Sequence, residues 1–304
     1  MSKLEIIHSL ERPKVTIGVC VRNCENTIDN AIESILHQDF PHKLMEVIFI
    51  DDGSTDNTLS LIKSYLSKMD FNVKIFHHKW RGLGSSRNEV IKHASGEFIV
   101  WVDGDMILPP NYVTDMVRFM EENPNVAIAG GTYGMLGQKS LVAFLDNVEY
   151  VAYRLKSGSN LPGTGGAIFR VKAIKDIGGF DEKIKGSGED IDIAFRAKSV
   201  GWSIVRDRAT FYAYSKKTWK KSWQHFVWHG YGAHYLKHKH CHIISIPRMS
   251  PFFSLIAGII YGILAYKVLK RKAVFLLPIY MLFKNFAWWH GYIKAHMDAY
   301  GHSI

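Results

Sequence analysis

Two short acidic runs, Asp51-Asp52 and Asp103-Gly104-Asp105, are the residues of this chain best suited to do chemistry. Each follows a short apolar segment, Val47–Ile50 and Phe98–Val102 respectively. Carboxylates facing a diphosphate repel it unless a hard divalent cation lies between them. Mg2+ and Mn2+ take oxygen ligands, commonly one or two carboxylates completed by phosphate oxygens and water. Asp103-Gly104-Asp105 beyond a strand end supplies such a set, and either aspartate can reach the metal or the hydroxyls of a ribose. Taken alone, the same residues would also serve as a polar surface turn, so their place in the fold decides. A third acidic pair, Glu189-Asp190, follows the glycine-rich Gly186-Ser187-Gly188. It opens a helical pattern over Glu189–Val200, where acids also complement the helix dipole.

The elements that must hold these groups alternate. Val15–Val21, Val47–Ile50, Val73–Phe76 and Phe98–Val102 read as buried strands. Apolar spacing predicts helices over Thr27–His37, Asp56–Met69 (Asp56 as N-cap) and Ser85–His93. This alternation predicts parallel βαβ units in an α/β, doubly wound sheet. Ligands bind such sheets outside the carboxyl ends of the strands, which brings both acidic runs to one crevice. Beyond Pro162, Ala167–Arg170, Trp202–Val205 and Thr210–Tyr214 read as strands, and Val171–Ile177 as a short helix closed by Gly178-Gly179. Lys216–His240 reads as a basic, aromatic helix. The expected division is a catalytic domain over residues 1–215 and a membrane-associated part over 216–304.

Composition narrows the class. Hydrophobic residues make up 47% of the 304, enough for a packed core and against disorder. The net charge of +10 favours anionic partners: a phosphorylated substrate, a membrane surface or nucleic acid. Basic residues cluster after Lys216. The acidic strand ends are hostile to a polyanion without metal, so no nucleic-acid partner is expected. Three cysteines, Cys20, Cys24 and Cys241, make no disulfide framework and no zinc knuckle, in keeping with a reducing, cytosol-facing site. Met1–Lys14 has no apolar stretch and is read as carrying no signal peptide.

Four ordered segments carry a family resemblance. VTIGVCVRNCENTI, VIFIDDGSTDNT, GSSRNEVIKHASGEFIVWVDGDM, and GGAIFRVKAIKDIGGFDE with GSGEDIDIAFRAKSVGW together resemble family-two inverting glycosyltransferases of the glycosyltransferase A-type fold. The likeness runs from about Val15 to Trp202. It implies a doubly wound mixed sheet flanked by helices, a nucleotide-sugar donor, and Mg2+ or Mn2+ as cofactor. It also implies roles for particular residues. Asp52 would hydrogen-bond the base, Asp51 would lie close to ribose and base, and the backbone of Cys20, Val21 and Arg22 would wall the nucleoside. Arg87 would reach base or phosphates, Asp103 ribose or metal, and Asp105 the metal. Glu189 and Asp190 would form the acidic pair near the acceptor, with Asp190 as general base. Inverting displacement at an anomeric carbon independently needs one carboxylate to deprotonate the acceptor hydroxyl opposite the leaving diphosphate.

Other features bear on the acceptor. Gly82-Leu83-Gly84 is too short for a dinucleotide fingerprint. Gly163-Thr164-Gly165-Gly166 is either a place of close acceptor approach or a plain turn. The loops 161–166 and 186–188 are expected to shape the acceptor subsite. Gln224-His225-Phe226-Val227-Trp228 departs from the Gln-x-x-Arg-Trp of processive synthases at Val227, which argues against a processive polymerase. His225/His229 and His234/His238 are i,i+4 pairs without the glutamate of a zinc-protease motif. With His240, His242, Lys216, Lys217, Lys220, Lys221, Lys237 and Lys239 they suggest a surface facing phosphate or lipid headgroups.

The C-terminal runs Phe252–Tyr266 and Ala273–Trp289 are apolar except for Lys284, and the first has 15 residues against the roughly 20 needed to span a bilayer. A spanning hairpin would also carry Lys267, Lys270, Arg271 and Lys272 to the far side, against the positive-inside tendency. Interfacial or re-entrant helices on the cytosolic leaflet are therefore expected, with Trp288, Trp289 and the lysines as anchors. The expected acceptor is a lipid-linked or surface glycan. A soluble acceptor and a non-catalytic anionic-lipid or nucleic-acid binder are the rival readings.

Overall fold

The computed structural model describes residues 2–136, 140–156, 163–206, 208–214, 218–241, 244 and 249–302. Leu161, Pro162, Lys216, Lys217, His242 and the expected boundary at residue 215 lie outside the described residues. The chain forms two units. The first is Met1–Gly134, Leu161–Lys183 and Glu189–Ala213, and the second is Met135–Asn160, Ile184–Gly188 and Tyr214–Ile304. This differs from a single cut near residue 215, because two earlier segments belong to the second unit.

In chain order the elements begin β1 (Ser2–Ile6), β2 (Val15–Val21), α1 (Ile28–Leu36), β3 (Met45–Asp52), α2 (Thr58–Ser64) and β4 (Asn72–His78). They continue α3 (Leu83–His93), β5 (Phe98–Trp101), β6 (Met106–Ile107), α4 (Tyr112–Glu122), β7 (Val126–Ala129) and β8 (Thr132–Leu136). Then come α5 (Leu141–Lys156), β9 (Ile168–Arg170), α6 (Val171–Asp176), α7 (Glu189–Ser199), β10 (Ser203–Val205) and β11 (Thr210–Tyr214). Three long helices follow: α8 (Trp219–Lys239), α9 (Pro251–Leu269) and α10 (Leu277–Met297).

The first unit holds an eight-stranded sheet in the order β1-β4-β3-β2-β5-β9-β7-β10. Strands β4, β3, β2 and β5 run parallel, as their alternation with helices requires. The sheet is mixed because β1 and β9 pair antiparallel with their neighbours. Strand period sorts the side chains to two cores. Val15, Ile17, Val19 and Val21 of β2 join Ile28, Ile32, Val113 and Met116 on one face. Ile48 and Ile50 of β3 join Val90, Ile174 and Ile193 on the other. Gly18 is small for a reason: a Cβ there would lie 2.8 Å from the Trp101 ring and 2.9 Å from Val90. A second sheet, β6-β11-β8, carries the chain on from the acidic turn at 103–105.

Helix α2 is shorter than the pattern over Asp56–Met69 suggests, and Asp56 lies one residue outside its cap. Its Oδ1 accepts hydrogen bonds from Thr58 N (3.0 Å) and Thr58 Oγ1 (2.6 Å), and Asn57 occupies the N-cap position.

Within the second unit, α8 and α10 cross without room for side chains. A Cβ on Gly230 would strike the carbonyl of Trp288, and one on Gly291 the carbonyl of Val227. Val227 thus sits at a helix crossing. Lys284, the one charge in its apolar run, pairs with Glu149 of α5 and lies 3.8 Å from Asp146. Helix α9 is longer than the 15-residue run: its 19 residues continue through Lys267 and end at Lys270 in the left-handed conformation (φ 54°). By length and composition alone it could cross a membrane, with mean hydropathy 1.9. Phe252, Phe253, Ile259 and Ile263 are exposed on it. Trp288 is buried and stacks on Tyr292, so it is no surface anchor, and Trp289 Nε1 donates to the Met249 carbonyl (2.6 Å).

Candidate active site

The parallel strands end together, so register brings their last residues side by side. Val21 lies opposite Asp51, Asp51 opposite His77, and Asp52 opposite His78. Asp51 is fully buried; its Oδ2 lies 2.8 Å from His77 Nδ1 and its Oδ1 accepts from Ser54 N (3.1 Å). Asp52 accepts from the backbone N–H groups of Arg81 (2.7 Å) and Gly82 (3.0 Å), and His78 Nδ1 is 3.3 Å from it. In this chain Asp52 therefore shapes the loop 79–82 that borders the crevice. Each of its oxygens keeps further lone-pair capacity for a base edge. Arg22 lies over the exposed Trp80 ring at 5.3 Å on the same rim.

The turns after β2 and β3 are tied to each other. Asn23 N donates to Ser54 Oγ (3.0 Å), Thr55 N to Asn23 Oδ1 (2.8 Å) and Cys24 N to Thr58 Oγ1 (2.8 Å). Burial pushes the Cys20 thiol up to about 12 and the Cys24 thiol up to about 11, so both stay protonated and are poor nucleophiles.

Arg87 of α3 connects the halves of the site. Its side chain is 4% exposed; Nη1 meets Glu189 Oε1 at 2.5 Å, and Nη2 lies 3.8 Å from Asp103 Oδ1. Its guanidinium also sits over Trp101 (5.8 Å) and Phe180 (5.4 Å). The loop before β9 touches both acidic groups. A Cβ on Gly163 would lie 3.5 Å from Asp190 Oδ2, and one on Gly165 would lie 2.8 Å from Asp103 Oδ2. Between these glycines, the Thr164 hydroxyl is buried with no hydrogen-bond partner among the described residues. Asp103, Arg87, Glu189 and Asp190 are therefore neighbours, and Gly163 and Gly165 pass close beside two of these carboxylates.

Burial, reinforced by the negative charge of Glu189, pushes the Asp190 carboxyl up to about 7, against the pull of Arg87 and the Ile191 N–H. Burial among protein groups also raises Asp103, although 44% of its side-chain surface stays open to solvent. Asp105 is exposed at the rim. Two hard-oxygen carboxylates two residues apart, one at the floor and one at the rim, fit a Mg2+ or Mn2+ ion that keeps water and phosphate ligands.

Of the residues expected from sequence, Cys20, Val21, Asp51 and Asp52 lie at the ends of β2 and β3 and Asp103 just beyond β5, while Arg87 of α3 pairs with Glu189 at the start of α7 and approaches Asp103. His77, His78 and Trp80 are additions that the sequence does not announce, whereas Thr164 and Gly165 belong to the loop 163–166 already marked as a candidate. The two histidines end the third strand of the run and could have been found from register alone; no sequence signal pairs Arg87 with Glu189, 102 positions away.

The chain matches the family profile "Glycosyl transferase family 2" over residues 16–177 and "Glycosyl transferase family group 2" over 98–295. It is 28% identical over 203 residues to the poly(ribitol-phosphate) beta-N-acetylglucosaminyltransferase TarS of Staphylococcus aureus, covering 66% of this chain and 35% of TarS. A solved structure of TarS residues 1–349 with UDP-GlcNAc superposes with TM-score 0.53 at 18% identity, covering 94% of this chain and 92% of that one. The poly-beta-1,6-N-acetyl-D-glucosamine synthase of Staphylococcus epidermidis is 26% identical over 200 residues, 60% of this chain and 48% of the synthase. The chain thus spans less than half the length of these curated relatives. The mannosyltransferase PcManGT of Pyrobaculum calidifontis, solved with GDP-Man and Mn2+, superposes with TM-score 0.66 at 17% identity, covering 95% of this chain and 88% of that one. These likenesses confirm the glycosyltransferase A-type fold.

Proposed function

Because this chain belongs to glycosyl transferase family 2, we propose that it transfers a sugar with inversion from a UDP-sugar to a lipid-linked or cell-surface glycan acceptor, using Mg2+ or Mn2+, at the cytosolic face of a membrane. One observation carries this reading: Arg87 links Glu189, next to Asp190, to Asp103 across one crevice. The carboxylates that would hold a metal-bound diphosphate thereby face the carboxylate that would activate an acceptor. Asp103 and Asp105 would be the metal ligands, and the ion would supply Lewis-acid neutralisation of the departing diphosphate. Asp51 and Asp52 hold the strand-end loops against the nucleoside, as His77 and the Arg81 and Gly82 N–H groups fix both carboxylates. Asp190 accepts the acceptor hydroxyl proton, and the bare Gly163 leaves room beside its Oδ2. UDP is favoured by the donor held in the TarS structure; GDP-sugars are the alternative, in view of PcManGT. The exposed apolar side chains of α9, followed by Lys270, Arg271 and Lys272, support a membrane-surface acceptor.

The test is a panel of UDP- and GDP-sugars scored by thermal stabilisation with Mn2+, with Mg2+ and with chelator, followed by transfer assays on membrane lipid extract. A donor at a hundredfold excess over its Kd should stabilise by about 2.7 kcal/mol, and only with metal. Absence of metal-dependent stabilisation by every nucleotide-sugar would refute the reading.

Gly165→Ala probes the crevice floor. Its Cβ would sit 2.8 Å from Asp103 Oδ2, so the carboxylate must shift. A displaced metal ligand should lower kcat/KM by about 10²-fold with little change in Tm. Steady-state kinetics across a Mn2+ titration would check this, part of the loss being recovered at high metal.

A further inference from the structure

Far along the sequence from the donor residues, three histidines of the second unit converge. The metal-capable nitrogens of His234 on α8, His296 on α10 and His302 just beyond α10 all lie within 4.8 Å of one another. His234 Nε2 is 3.3 Å from His296 Nδ1, and His302 Nε2 is 3.2 Å from the same nitrogen. His238 adds a fourth ring, 4.7 Å from His234 and 5.1 Å from His302 between centroids. We propose that His234, His296 and His302 form a binding site for a borderline divalent transition metal, with Zn2+ the best match.

Proton counting favours a cation over a simple hydrogen-bonded cluster. His234 Nδ1 lies 2.6 Å from the Tyr300 carbonyl oxygen, which can only accept, so Nδ1 carries the proton. In the neutral ring Nε2 then presents a lone pair toward His296. A single N–H on His296 Nδ1 can satisfy His234 or His302 but not both. If His302 donates instead, the lone pairs of His234 and His296 face each other. A cation at the centre satisfies all three nitrogens. Metal–nitrogen bonds of 2.0–2.1 Å in a tetrahedron put ligand nitrogens about 3.3 Å apart, the separation seen here for both measured pairs.

The surroundings suit this role. A carbonyl that fixes the tautomer of a ligating imidazole is the usual outer support of a zinc histidine. His296 and His302 are exposed, which leaves an entry path and room for a fourth ligand. Nitrogen ligands also separate this site chemically from the oxygen donors Asp103 and Asp105.

The site would act as a staple. Tyr300, whose carbonyl holds His234, stacks on Tyr231 (4.8 Å) and Tyr235 (5.0 Å), and its hydroxyl accepts from Lys185 N (2.6 Å). A bound ion ties the end of α10 to α8 and so steadies Ile184–Gly188, the segment that runs directly into Glu189. The two-histidine pair on α8, His225 and His229 (Nε2–Nε2 2.8 Å), lacks a third ligand of this kind among the described residues.

The experiment uses untagged, chelator-stripped full chain. Titration with Zn2+ should show one ion bound per chain with a raised Tm, and Co2+ should give the strong visible absorption of a tetrahedral nitrogen site. His302→Ala and His296→Ala, both at exposed positions, should weaken Zn2+ binding at least about tenfold. His225→Ala and Asp105→Asn should leave it unchanged. The proposal falls if Zn2+ does not bind stoichiometrically, if His302→Ala binds as the unsubstituted chain does, or if His225→Ala abolishes binding. The Co2+ spectrum of the unsubstituted chain decides the matter even should a variant fold poorly.

Discussion

Asp190→Asn is expected to lower kcat by about 10²–10⁴-fold, the usual worth of a positioned general base, while nucleotide-sugar binding stays intact. The substitution keeps shape and the hydrogen-bonding oxygen but removes the proton acceptor. Burial and the neighbouring Glu189 set this carboxyl at about 7, so it is protonated in acid and competent only above that value. In the unsubstituted enzyme, kcat/KM should therefore rise with pH through about 7 and then level. The same shift has a stability consequence of opposite sense. A carboxyl raised above its unfolded value binds its proton more tightly in the folded chain, so stability is lost as pH rises from the ordinary carboxylate range through about 7. Asparagine carries no charge there, so the inactive variant should melt about 2–4 °C higher at pH 8 and at no advantage near pH 4. Single-turnover assays with a pH series, alongside thermal melts, test both limbs. Near-normal turnover in Asp190→Asn would remove Asp190 from the reaction.

Arg87→Met should cost about 3–5 kcal/mol of stability, as expected when one partner of a buried pair is removed and the other charge stays. Glu189 is 6% exposed on its side chain and loses its 2.5 Å partner, so the cost falls on an uncompensated carboxylate. The double variant Arg87→Met/Glu189→Leu should regain most of that stability, because two apolar side chains can replace a buried ion pair. It should not regain transfer, since Asp103 and Asp190 would then lack the cation between them. Urea denaturation of the two single variants and the double gives the coupling energy directly. A loss below about 1 kcal/mol in Arg87→Met would show that the pair is not held as described.

Much of this was legible in the sequence, for identifiable reasons. The strands β2 to β5 declare themselves because both faces of a central parallel strand are buried, giving unbroken apolar runs such as Val47–Ile50. Their register then carries Asp51, Asp52 and Asp103 to one edge. Direction was not legible for β9: three residues, Ile168–Arg170, fit a parallel or an antiparallel neighbour equally, and the pairing is antiparallel on both sides. Helix α4 is harder to recognise although Val113, Met116, Val117 and Met120 have helical spacing, because the chain near it is broken by Pro109-Pro110 and runs on into short strands. In sequence the α9 run looks too short because Lys267 interrupts the apolar residues; a lysine within the last turn is favourable to a helix, and the end comes only at Lys270. The spacing of His234 and His238 points toward a headgroup-facing surface, whereas His234 is 1% exposed and faces α10. Its partners His296 and His302 are more than 60 positions distant, beyond any local pattern.

The interleaving of the two units has a practical meaning for anyone who would recombine this enzyme. Residues 135–160 and Ile184–Gly188 leave the first unit and return to it before the Asp190 helix begins. No single splice point in the coding sequence can then exchange one unit and keep the other. A chimera carrying a foreign C-terminal half joined after residue 213 would still hold a host-type α5 and a host-type Ile184–Gly188 strip. Exchanging the second unit therefore calls for three coordinated swaps, with departures after Gly134, Lys183 and Ala213 and returns at Leu161 and Glu189.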